Sequence, residues 1–199
     1  MNFNDTEIVA SIMKNSGWEI VATPEEATAV LLNTCSVREN AESRVIRRLK
    51  QYNHKFKKLN KRYIIGIIGC MAERFNQHLV DLENSVNVVI GPDEYRRMPA
   101  LLDQALSGNK AVAVELSTVE TYDDIIPLRT EGISAWLSIM RGCNNFCSYC
   151  VVPYTRGRER SRPMQSLIEE TRQLFHKGFR EVTLLGQNVN SYKDEETGS

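Results

Sequence analysis

Residues 63–70 read YIIGIIGC, from Tyr63 to Cys70. Tyr63–Ile68 is a short apolar run of strand length, and Cys70 falls just past its carboxyl end. On the N-terminal side, Ala29–Leu32 reads as a second buried strand, with Cys35 just past it. A long polar helix from about Arg38 to Phe56 joins the two. Further back, Asp5 and Thr6 can cap a helix whose apolar face is Ile8, Val9, Ile12 and Met13, stopped by Gly17. Trp18–Val21 reads as a short strand, and Pro24 opens a helical turn. On the C-terminal side come an apolar run at Asn87–Ile90 and a helix opened by Pro92 and Asp93 that runs through Leu106 to Gly108. Ala111–Leu116 follows as an edge strand. Strands alternating with helices predict an α/β unit, a parallel sheet covered by helices on both faces. Ligands collect at the carboxyl ends of such strands, where Cys35 and Cys70 both stand.

A second unit is expected after this one. Residues 117–132, STVETYDDIIPLRTEG, show no periodicity and read as a linker. Ala135–Met140 reads as a strand, RGCNNFCSYC as a loop, Met164–Lys177 as a helix ended by Gly178, and Glu181–Leu185 as a strand followed by GQNVN. This is the βαβ opening of a barrel or open sheet. The expected division is 1–116, a linker at 117–132, and 133–199. The last part is far shorter than the ~250 residues of a complete (β/α)₈ barrel. It is therefore either the start of a longer barrel or something smaller. The tail KDEETGS is polar and expected to fray.

Composition excludes several classes. The 199 residues are 42% hydrophobic and 25% charged, with 25 basic and 25 acidic side chains, so net charge selects no partner. No apolar run approaches the ~20 residues that span a bilayer. MNFNDTEIVA lacks the basic and apolar regions of a signal peptide. The five cysteines are Cys35, Cys70, Cys143, Cys147 and Cys150. An odd number, with three of them close together, is a poor disulfide framework and points to metal binding or catalysis in a reducing compartment.

C-x₃-C-x₂-C at Cys143, Cys147 and Cys150 is the strongest chemical signal. Thiolates suit iron–sulfur clusters. Three of them on a four-iron cube leave one iron open, as a catalytic metal needs. A zinc site wants a fourth Cys or His at recognisable spacing, and none lies near except His176, which sits on a predicted helix. The loop also bears Arg156, Arg158, Arg160 and Arg162, which extended chain would place on one side, to contact phosphate or carboxylate or simply to lie in solvent. A second basic stretch, Arg44 to Arg62, reads as the exposed face of the long helix and as a candidate RNA contact.

With an aromatic residue before the last cysteine, Tyr149, this loop resembles the radical S-adenosylmethionine (SAM) signature. The string SIMRGCNNFCSYCVVPYTRGRERSRP, with LLNTCSVRENAE, IIGCMAER and GQNVNSY, is similar to the radical-SAM methylthiotransferase family, over Asn2 to Tyr192. Among the family's branches it most resembles the one acting on isopentenylated adenosine in tRNA. The resemblance implies a Rossmann-like methylthiotransferase domain followed by the first βαβ part of a radical-SAM (β/α) barrel. It implies a [4Fe–4S] cluster on Cys143, Cys147 and Cys150, with SAM bound at its open iron and cleaved to a 5′-deoxyadenosyl radical. Tyr149, Arg156 and Gln187 are expected at the cofactor. A second [4Fe–4S] cluster is expected on Cys35, Cys70 and a third cysteine, which the family carries in a segment preceding the part that MNFNDTE matches. The chain is therefore expected to be clipped at its N-terminus, truncated at its C-terminus, and inactive alone.

The expected reaction of the intact protein is addition of a methylthio group to C2 of an N6-isopentenyladenosine beside the tRNA anticodon. Flavodoxin or ferredoxin is the expected electron donor, and a bacterial cytosol or an organelle matrix the expected location. Other branches of the family act on threonylcarbamoyl-adenosine in tRNA or on a ribosomal-protein aspartate. A non-catalytic protein with a structural metal on the loop is the alternative from outside enzymology.

Overall fold

The computed structural model describes residues 1–35, 39–76, 78–79, 85–129 and 132–194, and the side chains of the long helix from residue 43 onward. Ser36, Val37 and Arg38 of the NTCSVREN string, and the tail from residue 195, lie outside the described residues. The chain divides into two compact units, one of Asn2 and Ile12–Leu116, the other of Met1, Phe3–Ser11 and Ser117–Ser199.

The first unit is a four-stranded parallel sheet in the order β1 (Ala29–Thr34), β2 (Ile64–Gly69), β3 (Val88–Ile90), β4 (Ala111–Ala113). All six residues of β2 are buried, as a central strand covered on both faces requires. Helix α2 (Glu39–Lys58) supplies Val45, Leu49, Tyr52 and Phe56, one stripe at helical spacing. Leu49 and Phe56 are fully buried with Ile65, Ile67 and Val89, and each such side chain contributes roughly 1.5–3 kcal/mol. Phe56 also stacks on Tyr63, with ring centroids 4.5 Å apart. The opposite side of α2 is exposed and basic, as expected. Two further helices of the sheet unit are α3 (Cys70–Phe75) and α4 (Met98–Leu106).

Three local expectations are corrected. Residues 18–21 form no strand; the Trp18 N–H instead donates to the Met13 carbonyl at 3.0 Å and closes helix α1 (Asn2–Asn15). That helix starts ahead of Asp5, so Asp5 is internal and does not cap it. Pro92 and Asp93 form a turn, and α4 begins at Met98 after a 3₁₀ turn at Tyr95–Arg97.

In the second unit, β5 (Ser134–Ser138) pairs in parallel with β8 (Glu181–Leu185), Ser134 opposite Glu181 and Ser138 opposite Leu185. Helix α6 (Met164–His176) makes the crossover and packs Leu167 against Leu137, Ile139 and Met140. The strand expected over Ala135–Met140 is split, because its partner changes at Ile139. The Ile139 N–H still donates to Leu185 at 2.9 Å, but its carbonyl accepts from the Arg162 N–H at 2.9 Å. From there β6 (Met140–Arg141) pairs antiparallel with β7 (Arg160–Ser161). Between β6 and β7 lie the cysteine loop and one helical turn, α5 (Val152–Thr155). The described part of 117–132 packs in this unit: Tyr122 is buried, the Leu128 N–H donates to the Glu7 carbonyl at 3.0 Å, and Ser11 Oγ donates to the Ile126 carbonyl at 2.7 Å.

Candidate metal centre

The loop that carries Cys143, Cys147 and Cys150 is cinched at its base. The Cys143 N–H donates to the Gly157 carbonyl at 3.2 Å, and β6 and β7 pair Arg141 with Arg160. Gly142 has φ +74°, and a Cβ there would collide with the backbone of Gly157 and Arg158. Only glycine lets the two ends approach this closely. From this base, Cys143 is buried at 8% exposure, Cys147 is exposed and Cys150 half-buried, with the Cys150 N–H donating to the Cys147 carbonyl at 2.9 Å. Residues 144–149 are all exposed, Tyr149 at 87%.

Gln187 follows β8 by two residues, at the same end of the parallel pair that β5 leaves to enter the loop. Its Oε1 is buried without a hydrogen-bond partner. A buried acceptor of this kind calls for a donor that the described residues do not supply. The sequence therefore places the loop and Gln187 at one end of the strands, where ligands collect in parallel folds.

Among the described residues, no three His, Cys, Asp or Glu side chains gather as a single metal ion requires. A four-iron cube makes a different demand, since each thiolate holds its own iron atom. None of the five cysteines is in a disulfide. The donor set, three soft ligands on one turning loop, fits such a cluster.

The four arginines do not form one stripe. Arg156 follows α5 with φ −131° and ψ 3°, and Gly157 turns at φ +71°, so the segment is not extended. Arg158 is exposed and lies over the Phe146 ring at 5.3 Å, while Arg156, Arg160 and Arg162 are buried. Arg156 Nη2 is 2.5 Å from Asp5 Oδ2. Arg160 donates to the carbonyls of Ser117 and Arg156. Arg162 Nη1 reaches Glu170 Oε2 at 2.7 Å and the Ser138 carbonyl at 3.1 Å.

Two buried ion networks result; the sequence marked Asp5 only as a helix cap and Glu170 not at all. Asp5, at 0% exposure, holds Arg141 through Oδ1 at 3.0 Å and Arg156 through Oδ2. Burial alone would push its carboxyl up, but Arg156 and then Arg141 outweigh that and hold it below the usual range. Glu170 pairs with Arg129 and Arg162, each at 2.7 Å, and Arg129 also meets Glu7 at 3.3 Å. Arg141, a charge directly after an apolar run, was the one local signal of such a network, because a buried guanidinium needs a partner.

In the first unit, β1 and β2 run in register from Ala29 opposite Ile64 to Thr34 opposite Gly69. Cys35 and Cys70 are the next residue on each strand, so the sheet brings both to one edge. Cys70 is buried at the start of α3, and Cys35 is half-buried. Three residues on, Glu73 has its carboxyl raised to about 8, by burial first and then by the charges of Asp93 and Glu94.

With this geometry in hand, the class follows from comparison with known families. The radical SAM superfamily matches residues 137–197, which include the cysteine loop, Gln187 and β8. The uncharacterized protein family UPF0004 matches residues 1–91, which include Cys35 and Cys70. Over its whole length the chain is similar to proteins named tRNA-2-methylthio-N(6)-dimethylallyladenosine synthase. It is 55% identical to the one from Chloroherpeton thalassium over 199 residues, 100% of the chain and 44% of that protein. It is 54% identical to one from Porphyromonas gingivalis over 202 residues and 52% identical to one from Bacteroides fragilis over 200, covering 100% of the chain and 43% of each. The chain therefore spans less than half the length of these relatives.

Proposed function

We propose that the protein from which this chain comes is a radical-SAM tRNA methylthiotransferase, adding a methylthio group to C2 of an N6-isopentenyladenosine beside the anticodon. The observation that carries the reading is the joint presence, in one chain 55% identical throughout to such a synthase, of a radical-SAM loop with three free thiols and a parallel sheet with two cysteines at one edge. Cys143, Cys147 and Cys150 would hold a [4Fe–4S] cluster that, when bound, supplies the electron for reductive cleavage of SAM. Cys35 and Cys70 would hold a second cluster that donates sulfur.

Within this reading, residues 1–116 form the methylthiotransferase domain and 133–199 the opening of the radical-SAM barrel, with 117–132 between them. Gln187 presents a buried acceptor to SAM, and Tyr149 an exposed ring able to cover a purine. Arg156 acts through its pair with Asp5 rather than as a free anion contact. Proposed partners are an isopentenylated tRNA and a flavodoxin or ferredoxin, in a reducing compartment. No described helix is long and apolar enough to cross a membrane.

The test is iron and acid-labile sulfide per chain after anaerobic reconstitution, followed by tRNA methylthiolation by the full-length protein. About four irons that vanish in a Cys143/Cys147/Cys150→Ala variant are expected for the loop cluster. Iron that is unchanged by the triple substitution, or methylthiolation that survives it, would sink the reading.

A further inference from the structure

Asp5 precedes Arg141 by 136 residues and Arg156 by 151, yet it binds both. Arg141 stands two residues before Cys143, and Arg156 stands six after Cys150. One carboxylate therefore touches the entry and the exit of the cysteine loop, with a separate oxygen for each. We propose that Asp5 is a positioning residue that clamps the two ends of this loop and so fixes where its three thiols stand. The proposal rests on the reading of the loop as a cluster site.

Three observations favour a clamp over an incidental ion pair. The first is that the other ties at the loop base are slight. β6 and β7 are two residues each, and a ribbon that short is marginal by itself. The second is that both arginines are oriented by further contacts. Arg141 lies over the Tyr122 ring at 4.9 Å, and the backbone of Arg156 is held by the Arg160 guanidinium at 2.9 Å. Their positions are fixed, and the carboxylate between them fixes the distance from entry to exit. The third is the cost of burial. Asp5, Arg141 and Arg156 are at most 3% exposed, and apolar side chains of similar volume would often hold such a place as stably. What a charged bridge adds is a defined geometry, from paired N–H to oxygen contacts of fixed direction. Beyond its base the loop is exposed, so the position of Cys147 is set largely by how its two ends are held.

The test compares full-length parent, Asp5→Asn and Arg156→Gln proteins. In the metal-free state, hydrogen exchange at residues 141–160 is expected to speed up by roughly ten- to a hundredfold in Asp5→Asn, as for loss of a charge-assisted hydrogen bond, with β2 amides unchanged. Arg156→Gln, which cuts one arm only, should do less, and adding it to Asp5→Asn should add little. After reconstitution, iron bound by the loop should pass to a chelator faster by a similar factor in Asp5→Asn. Unchanged exchange across 141–160 in Asp5→Asn, or equal acceleration in β2, would overturn the clamp and leave Asp5 a general stabiliser. If Asp5→Asn does not fold, Arg156→Gln decides by the same exchange criterion. A parent loop that takes up no more iron than Cys143→Ala would overturn the cluster reading instead, and the metal-free exchange data would still judge the clamp.

Discussion

Thr34 at the end of β1 lies directly opposite Gly69 at the end of β2, and this register delivers Cys35 and Cys70 side by side to one sheet edge. On the proposed reading the two thiols serve one ligand. In the full-length protein, Cys35→Ala and Cys70→Ala are each expected to leave SAM cleavage intact and to abolish methylthiolation. Quantifying 5′-deoxyadenosine and methylthiolated nucleoside separately checks this, and retained methylthiolation in either variant removes that cysteine from the site.

Cys143 differs from the other loop thiols because it is buried at the cinched base. Cys143→Ala is expected to abolish 5′-deoxyadenosine formation in the full-length protein while leaving iron bound through Cys35 and Cys70. Undiminished 5′-deoxyadenosine would refute its assignment.

Glu170 neutralises Arg129 and Arg162, and all three side chains are at most 5% exposed. Glu170→Gln would leave the buried Arg162 without its carboxylate and Arg129 with Glu7 alone. A loss of about 3–5 kcal/mol is expected, the size seen when one partner of a buried pair is removed. Urea unfolding monitored through the exposed Trp136 of the second unit measures it.

Glu73 has its folded pKa raised to about 8 from an ordinary 4.5, so its neutral form is the favoured one. The unfolded chain gives up this proton more readily. The stability linked to Glu73 is therefore fully present below about pH 4.5 and lost as pH rises through about 8. Glu73→Gln should raise Tm at pH 8.5 and leave it unchanged at pH 4. A parent and variant that respond alike to pH would contradict this.

Helix α2 carries Arg44, Arg47, Lys55 and Lys58 on its exposed side, away from Leu49 and Phe56. Lys55 is already paired with Glu25, which leaves the others as the better phosphate contacts. Charge reversal at Arg44, Arg47 and Lys58 is expected to weaken tRNA binding and flatten its salt dependence. The log–log slope should fall by about 0.9 for each phosphate that is no longer neutralised. Unchanged affinity at low salt would assign the stripe to solvation alone.

The local patterns in the chain carried much of the architecture. The apolar run after Tyr63 and the stripe of Val45, Leu49, Tyr52 and Phe56 pack into the core as their periodicity says they should, and the strand at Glu181–Leu185 forms where it was expected. Where the pattern was weak, the outcome depended on partners. Residues 18–21 have strand composition but no strand among the described residues beside them. Ala135–Met140 is apolar except for Ser138 but splits at Ile139, whose N–H still donates to Leu185 while its carbonyl accepts from Arg162.

By itself the sequence determined the parallel α/β sheet, the three-thiol loop and the placement of Cys35 and Cys70 at strand ends. These follow from local propensity and from the periods of strand and helix. Only the tertiary structure decided where the charges went. Asp5 looked like a helix cap and the loop arginines like a solvent or phosphate face, yet Asp5 bridges Arg141 and Arg156, and Glu170 bridges Arg129 and Arg162. Spacing along the chain does not encode these contacts, which join residues from 8 to 151 positions apart. They form because a guanidinium enclosed by the fold must find a carboxylate.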